Sequence, residues 1–387
     1  MTLPSFRREP RGGPVAPRYV SRVPMPHVTR SPARSASRVL GAVALSAAVG
    51  ASVLGCREGA PAPPPRLSFL AVGDTGRRDF GAALLNRQMA VARGIAHEDA
   101  RSPVDAFLLL GDNFYPHGLE AEELVARVRL NVVRPYCRFI LLTGPRSTEV
   151  SDACPEPAAR RHVVPIYAVL GNHDYDSRAS PDLESRAVPA FVANWHLPRD
   201  VASVAELGAG VSLILLDSNQ LLAGADPSPL TDALRRARGP WRILAAHHPV
   251  ASRGKGTSRG SAAYASYTEA VRASIEAAGV PVQLFLSGHE HDLEIVELPS
   301  PWPRLNVVAG GGSGARSVEA ARTGERFALA RPGFARIDLA SKEGGDRLVA
   351  SVFALPSQPV LSLLPPRRVA RWSVDASGRV REEPGSP

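Results

Sequence analysis

Val282-Gln283-Leu284-Phe285-Leu286-Ser287-Gly288-His289-Glu290-His291 is a short apolar run that stops at a glycine and then presents two imidazoles two positions apart. A run of this length, bounded by a turn residue, reads as a buried strand. Side chains two apart on extended backbone face the same way, so both imidazoles reach one site. The pattern recurs in RLSFLAVGD (66–74), DAFLLLGDN (105–113), PIYAVLGNH (165–173), VSLILLDSN (211–219) and WRILAAHH (241–248). Between several of these runs lie helical stretches: FGAALLNRQMAVARGIA (80–96), LTDALRRARG (230–239) and SYTEAVRASIEAAG (266–279). The last two end in glycine, a common helix stop. Strand–helix alternation predicts an α/β domain. Past residue 291 the helices cease, and LEIVELP, LNVVAGGGS, GFARIDLA and RLVASVFAL read as strands closing the sheets. Residues 144–162 read as an irregular polar surface loop. Residues 356–387 read as a loose C-terminal tail with one strand near Arg371-Trp372-Ser373-Val374-Asp375.

The chain has 387 residues, 44% hydrophobic and 21% charged, with room for a large buried core. Its formal charge of +9 points at first to a polyanion partner. Residues 1–55, however, hold eight arginines and one acid, and the remainder is only +2. No nucleic-acid partner is therefore implied. Residues 39–55, VLGAVALSAAVGASVLG, follow Arg38 and precede Cys56, so 1–55 reads as an export signal. Val53-Leu54-Gly55-Cys56 resembles a bacterial lipobox, which predicts a lipid anchor at Cys56; a plain cleaved signal and an uncleaved anchor are the alternatives. The expected localisation is extracytoplasmic, as a membrane-anchored lipoprotein or a secreted protein. Residues 56–65 read as a proline-rich tether, and 66–355 as one domain with no linker splitting it. Cys137 and Cys154 either pair in an oxidising compartment or stand as unrelated thiols.

Polar residues at strand ends carry the chemistry. In open α/β sheets, ligands bind beyond the carboxyl ends of the strands. Those ends carry Asp74, Asp112, Asn172, His247, His289 and His291. Carboxylates and imidazoles are ligands for transition metals, and so many converging suggests two ions. Only a carboxylate can give an oxygen to each. Two metals about 3.5–4 Å apart suit in-line displacement at phosphorus.

The series GDTG, GDNFY, GNHD, AHHP and GHEH resembles the calcineurin-like metallophosphoesterase superfamily, and within it most the tartrate-resistant purple acid phosphatases. The resemblance covers about residues 66–340 and rests most specifically on Tyr115, three after Asp112, where purple acid phosphatases place a tyrosine on ferric iron. It implies a four-layer αββα sandwich. It implies that one ion, Fe(III), is held by Asp74, Asp112, Tyr115 and His291. The other, Fe(II), Zn or Mn, would be held by Asp112, Asn172, His247 and His289, with Asp112 bridging. His173 would face the phosphate and protonate the leaving oxygen, and Asp174 would orient His173. A metal-bound hydroxide would then hydrolyse the monoester of a phosphorylated small molecule or phosphoprotein. A phosphodiesterase or nucleotidase on the same ions, or a surface lipoprotein that binds without turnover, are the alternatives. The chain departs from the mammalian-type pattern after AHHP. Residues 251–260 lack the second active-site histidine, and Arg253, Lys255 or Arg259 is expected to bind substrate phosphate there or simply to solubilise the loop.

Overall fold

In β1 (Leu67–Val72), Leu67, Phe69 and Ala71 enter one apolar cluster while Leu70 and Val72 enter another. β7 (Trp241–Ala245) divides likewise: Trp241, Ile243 and Ala245 join the first cluster, and Leu244 joins a third. A strand buried on both faces must be covered twice, so two sheets share the first cluster and helices cover their outer faces. The computed structural model describes residues 63–77, 86–254, 260–318, 325–342, 344–356 and 364–384. Residues 1–55, expected to be an export signal, most of the expected tether, and Lys255 and Arg259 lie outside them.

Among the described residues, one sheet has eight strands in the order β15 (Val380–Glu382), β14 (Arg367–Asp375), β13 (Gly345–Ala354), β12 (Gly333–Lys342), β1, β2 (Ala106–Leu110), β3 (Ile166–Val169) and β4 (Trp195–His196). The other has seven, in the order β11 (Glu325–Leu329), β9 (Leu293–Glu297), β10 (Leu305–Ala309), β8 (Leu284–Ser287), β7, β6 (Val211–Leu216) and β5 (Ala202–Gly208). The helix Arg87–Arg101 packs Val91 and Ile95 on the first sheet's outer cluster. The helices Ser228–Arg236 and Ala262–Ala278 pack Leu234, Val271 and Ile275 on the second sheet's. This is the expected αββα sandwich. The longer of these two helices ends at Gly279, whose φ of 66° takes the left-handed cap predicted from its glycine.

Of the expected C-terminal tail, the described residues 364–384 hold the strand expected near residues 371–375, but it is longer, is followed by a second strand and belongs to the sheet rather than to a loose tail. β14 pairs along β13 over nearly its whole length, and β15 pairs on β14. The reason is period two: Ala370, Trp372 and Val374 alternate into the inter-sheet core, with Arg371 and Ser373 on the other face. The insertion 144–162 contains three short 3-10 turns, Ser147–Glu149, Ser151–Ala153 and Ala158–Arg160. Cys137 and Cys154 are disulfide-bonded, with Cα atoms 5.0 Å apart, and tie this insertion to the segment before it.

The sheets position chemistry because β1, β2 and β3 run parallel in one, while β6, β7, β8 and β10 run parallel in the other. The β1 end lies against the β8 end. Gly73 donates its amide to Ala309 O at 2.8 Å, and a Cβ on Gly73 would sit 3.0 Å from Gly288 Cα. Five strand ends from two sheets therefore open on one rim.

Candidate metal centre

The turns after β1 and β2 and the turn after β8 are built in an uncommon backbone conformation. Five non-glycine residues have positive φ among the described residues, and four are at this rim: Asp74 (60°), Asp112 (53°), His289 (73°) and His291 (55°). Such conformations cost about 1–3 kcal/mol each and persist where the surrounding structure enforces them, typically at functional sites. Gly111 and Gly171 let the turns close. A Cβ on Gly111 would meet His247 Nδ1 at 2.7 Å, and one on Gly171 would meet Asp112 Oδ1 at 2.1 Å.

The side chains fall into two groups that share Asp112. In the first, the Tyr115 hydroxyl lies 3.0 Å from Asp74 Oδ1, 2.5 Å from Asp112 Oδ2 and 2.9 Å from His291 Nε2. His291 Nε2 is also 3.2 Å from Asp74 Oδ1. In the second, Asn172 Oδ1 lies 3.2 Å from His247 Nε2 and 3.1 Å from His289 Nδ1. Asp112 Oδ1 is 3.3 Å from His247 Nε2, so its two oxygens face opposite groups. All seven residues predicted from the sequence as ligands thus converge on one place.

The donor chemistry fits cations. In the first group a single phenolic proton faces two carboxylate oxygens and an imidazole nitrogen. In the second, His247 Nδ1 is 2.8 Å from Leu110 O, so a neutral ring donates there and turns a bare Nε2 toward the Asn172 oxygen. Acceptor then faces acceptor, and an ion between them resolves both contacts. Orientation of a ligand imidazole by a backbone carbonyl is the usual supporting arrangement for a metal.

The field of the site agrees. Burial would raise the Asp74 carboxyl, but the imidazoles of His291, His247 and His289 hold it at about 2. Burial and the Asp74 and Asp112 carboxylates push the Tyr115 phenol well above its ordinary value. Burial, with the charge of His247, lowers His289 to about 3. Burial opposes the charging of His247, yet Asp112 and Asp74 raise it overall.

His173 stands at the mouth, half-buried, with its ring 4.5 Å from the Tyr115 ring. Asp174 does not orient it, contrary to the sequence expectation. The 3-10 turn His173–Tyr175 points successive side chains about 120° apart, sending His173 out and Asp174 in. Asp174 is fully buried and accepts from the amides of Gly171 (2.8 Å), Asn113 (3.1 Å) and Phe114 (3.0 Å), locking two ligand-bearing turns together. Burial and the neighbouring Asp112 raise its carboxyl to about 7. The residues that fix His173 are ones the sequence did not flag: Pro116 O is 2.6 Å from Nδ1, and Asp176 Oδ2 is 3.3 Å from it. His117 Nδ1 lies 3.6 Å from the same Asp176 oxygen. Asp176 had one legible signal, its place three residues after His173. Arg253 places its amide on Glu294, 2.9 and 2.8 Å from the two oxygens.

The sequence profile of calcineurin-like phosphoesterases matches residues 67–293, more than half of the chain and every ligand turn. The chain belongs to that family. The calcineurin-like phosphoesterases hold a dinuclear metal centre, and the two side-chain groups here are its candidate ligands. Among relatives, purple acid phosphatase 4 of Arabidopsis thaliana is 26% identical over 278 residues, covering 66% of this chain and 70% of its own. Tartrate-resistant acid phosphatase type 5 of Sus scrofa is 26% identical over 210 residues, covering 49% of this chain and only 55% of its own. The Homo sapiens protein of that name is 25% identical over 257 residues, covering 60% and 69%. Among solved structures, GAP50, the anchor in the inner membrane complex of Plasmodium, has a TM-score of 0.52 at 17% identity, covering 78% of this chain and 88% of that one. PhoD has a TM-score of 0.51 at 13% identity, covering 84% and 72%. Those two likenesses are of fold.

Proposed function

We propose that this calcineurin-like phosphoesterase is an exported phosphomonoesterase of the purple acid phosphatase type. The observation that carries the reading is the Tyr115 hydroxyl set among Asp74, Asp112 and His291, where the resemblance calls for an iron-binding tyrosine. Asp74, Asp112, Tyr115 and His291 would hold Fe(III), for which anionic oxygen donors are suited. Asp112, Asn172, His247 and His289 would hold a divalent ion, Fe(II), Zn or Mn. When bound, the pair supplies Lewis acidity that lowers the pKa of water and offsets charge on the phosphoryl oxygens.

The chain's own groups do the rest. His173 Nδ1–H donates a hydrogen bond to Pro116 O, which leaves Nε2 to face the substrate. A proton held on Nε2 is placed for the departing oxygen of the ester. The Tyr115 ring beneath it and Asp176 beside it fix that orientation. Asp174 keeps the Asp112 and Asn172 turns in register. Phosphorylated small molecules or phosphoproteins are the substrates this site would take.

Export is supported by the disulfide, because such bonds persist in oxidising compartments. The proposed signal and the lipid anchor at Cys56 lie outside the described residues. Hydrolysis of p-nitrophenyl phosphate and of its bis ester by the metal-replete protein tests the activity. The monoester is expected to lead by at least about tenfold in kcat/KM, or 1.4 kcal/mol of barrier. A preference for the diester would select the phosphodiesterase reading, and hydrolysis of neither would select a binding protein.

A further inference from the structure

The doublet His247-His248 puts a second imidazole where the ligand set just described uses only one. Ligand atoms of His247, His248 and His289 all lie within 4.8 Å of one another, and those of Asp74, Asp112 and His291 form a separate group of the same kind. We propose that His248 is a third imidazole for the second ion, making that position a nitrogen-rich site selective for zinc or ferrous iron over manganese and magnesium. The inference rests on the dinuclear reading above and deepens it.

Three observations support it. His248 is 3% exposed, and its ring centre is 4.4 Å from that of His289 and 5.0 Å from that of His247. Here Nδ1 is 2.9 Å from Ser218 Oγ, which also receives the His248 amide at 3.2 Å. Among the described residues Nε2 has no hydrogen-bond partner. When the ring donates from Nδ1 to that hydroxyl, as His247 Nδ1 does to Leu110 O, Nε2 is left to a metal. Finally, the ring is held rigidly. The Tyr267 hydroxyl donates to His248 O at 2.6 Å, and the Tyr264 and Tyr267 rings stand edge-on at 6.3 and 6.4 Å.

Imidazole suits zinc and iron, whereas magnesium and manganese prefer oxygen donors. A third nitrogen at the second position should thus narrow the choice among divalent ions.

The test is zinc titration of chelator-stripped full-length protein against a competing chelator, read as the affinity of the second equivalent. His248→Phe is expected to weaken that equivalent by at least about a hundredfold, and Ser218→Ala by about tenfold, the range seen when supporting partners of ligands are removed. The His248→Phe loss should be larger for zinc than for manganese. His247→Gln serves as the positive control, and melting temperature reports folding. Ser218→Ala keeps the imidazole and its volume, so it decides the matter if His248→Phe fails to fold. Unchanged second-zinc affinity in the His248 and Ser218 variants, with loss in His247→Gln, would make His248 a packing residue and overturn the proposal. Wild-type protein that binds no second zinc would overturn the dinuclear reading, and this one with it.

Discussion

Asp112→Ala is expected to lower kcat on a phosphomonoester by at least about a thousandfold, or 4 kcal/mol of barrier. Asp112 alone faces both ligand groups, with Oδ2 2.5 Å from the Tyr115 hydroxyl and Oδ1 3.3 Å from His247 Nε2. The same Oδ1 receives the His173 amide at 3.0 Å, so the variant also frees the turn that carries His173. The fold should survive, because Asp174 still joins the 113–114 amides to Gly171. Circular dichroism with steady-state kinetics checks both halves. A well-folded Asp112→Ala protein that kept turnover within tenfold of wild type would remove the bridge from the account.

His173→Ala is expected to cost about a hundredfold or more on alkyl phosphates, the size of a general-acid contribution. The loss on p-nitrophenyl phosphate should be much smaller, since that leaving group departs without a proton. The chain makes this test informative. The loop 251–254 brings no histidine to the rim among the described residues, and His117 reaches it only beside Asp176. Equal losses on both substrate types would assign His173 to binding the phosphoryl group rather than to protonating the leaving oxygen.

The ligands were legible because each sits two to four residues past the last residue of a buried strand, and a strand end is the easiest boundary to read in an α/β chain. Asp74, Asp112, Asn172, His247, His289 and His291 all follow that rule. Tyr115 was legible only through the resemblance, since a tyrosine three after an aspartate has no local signature. Asp174 was misread because neighbouring residues of a 3-10 turn face different directions, and sequence adjacency to His173 says nothing about contact. The role of Ser218 beside His248 depends on a contact 30 residues apart between two strand ends, which no period or spacing encodes. β5, at the edge of its sheet, and β14, one strand in from the edge of the other, were the weak part of the fold reading. β5 and β14 are only partly buried, so their patterns mix arginine, glutamate and small residues with the apolar set. The disulfide, left open on the sequence, needed the spatial approach of Cys137 to Cys154.

The central claim is that this rim holds two cations, one of them ferric and bound by Tyr115. Elemental analysis of the purified protein, taken together with its visible spectrum, tests this most directly. The account predicts two metal ions per chain, at least one of them iron, and a visible absorption band that disappears in Tyr115→Phe. A colourless wild-type protein carrying two zincs would contradict the ferric assignment, and a chain that retained fewer than two ions after metal loading would contradict the dinuclear centre itself.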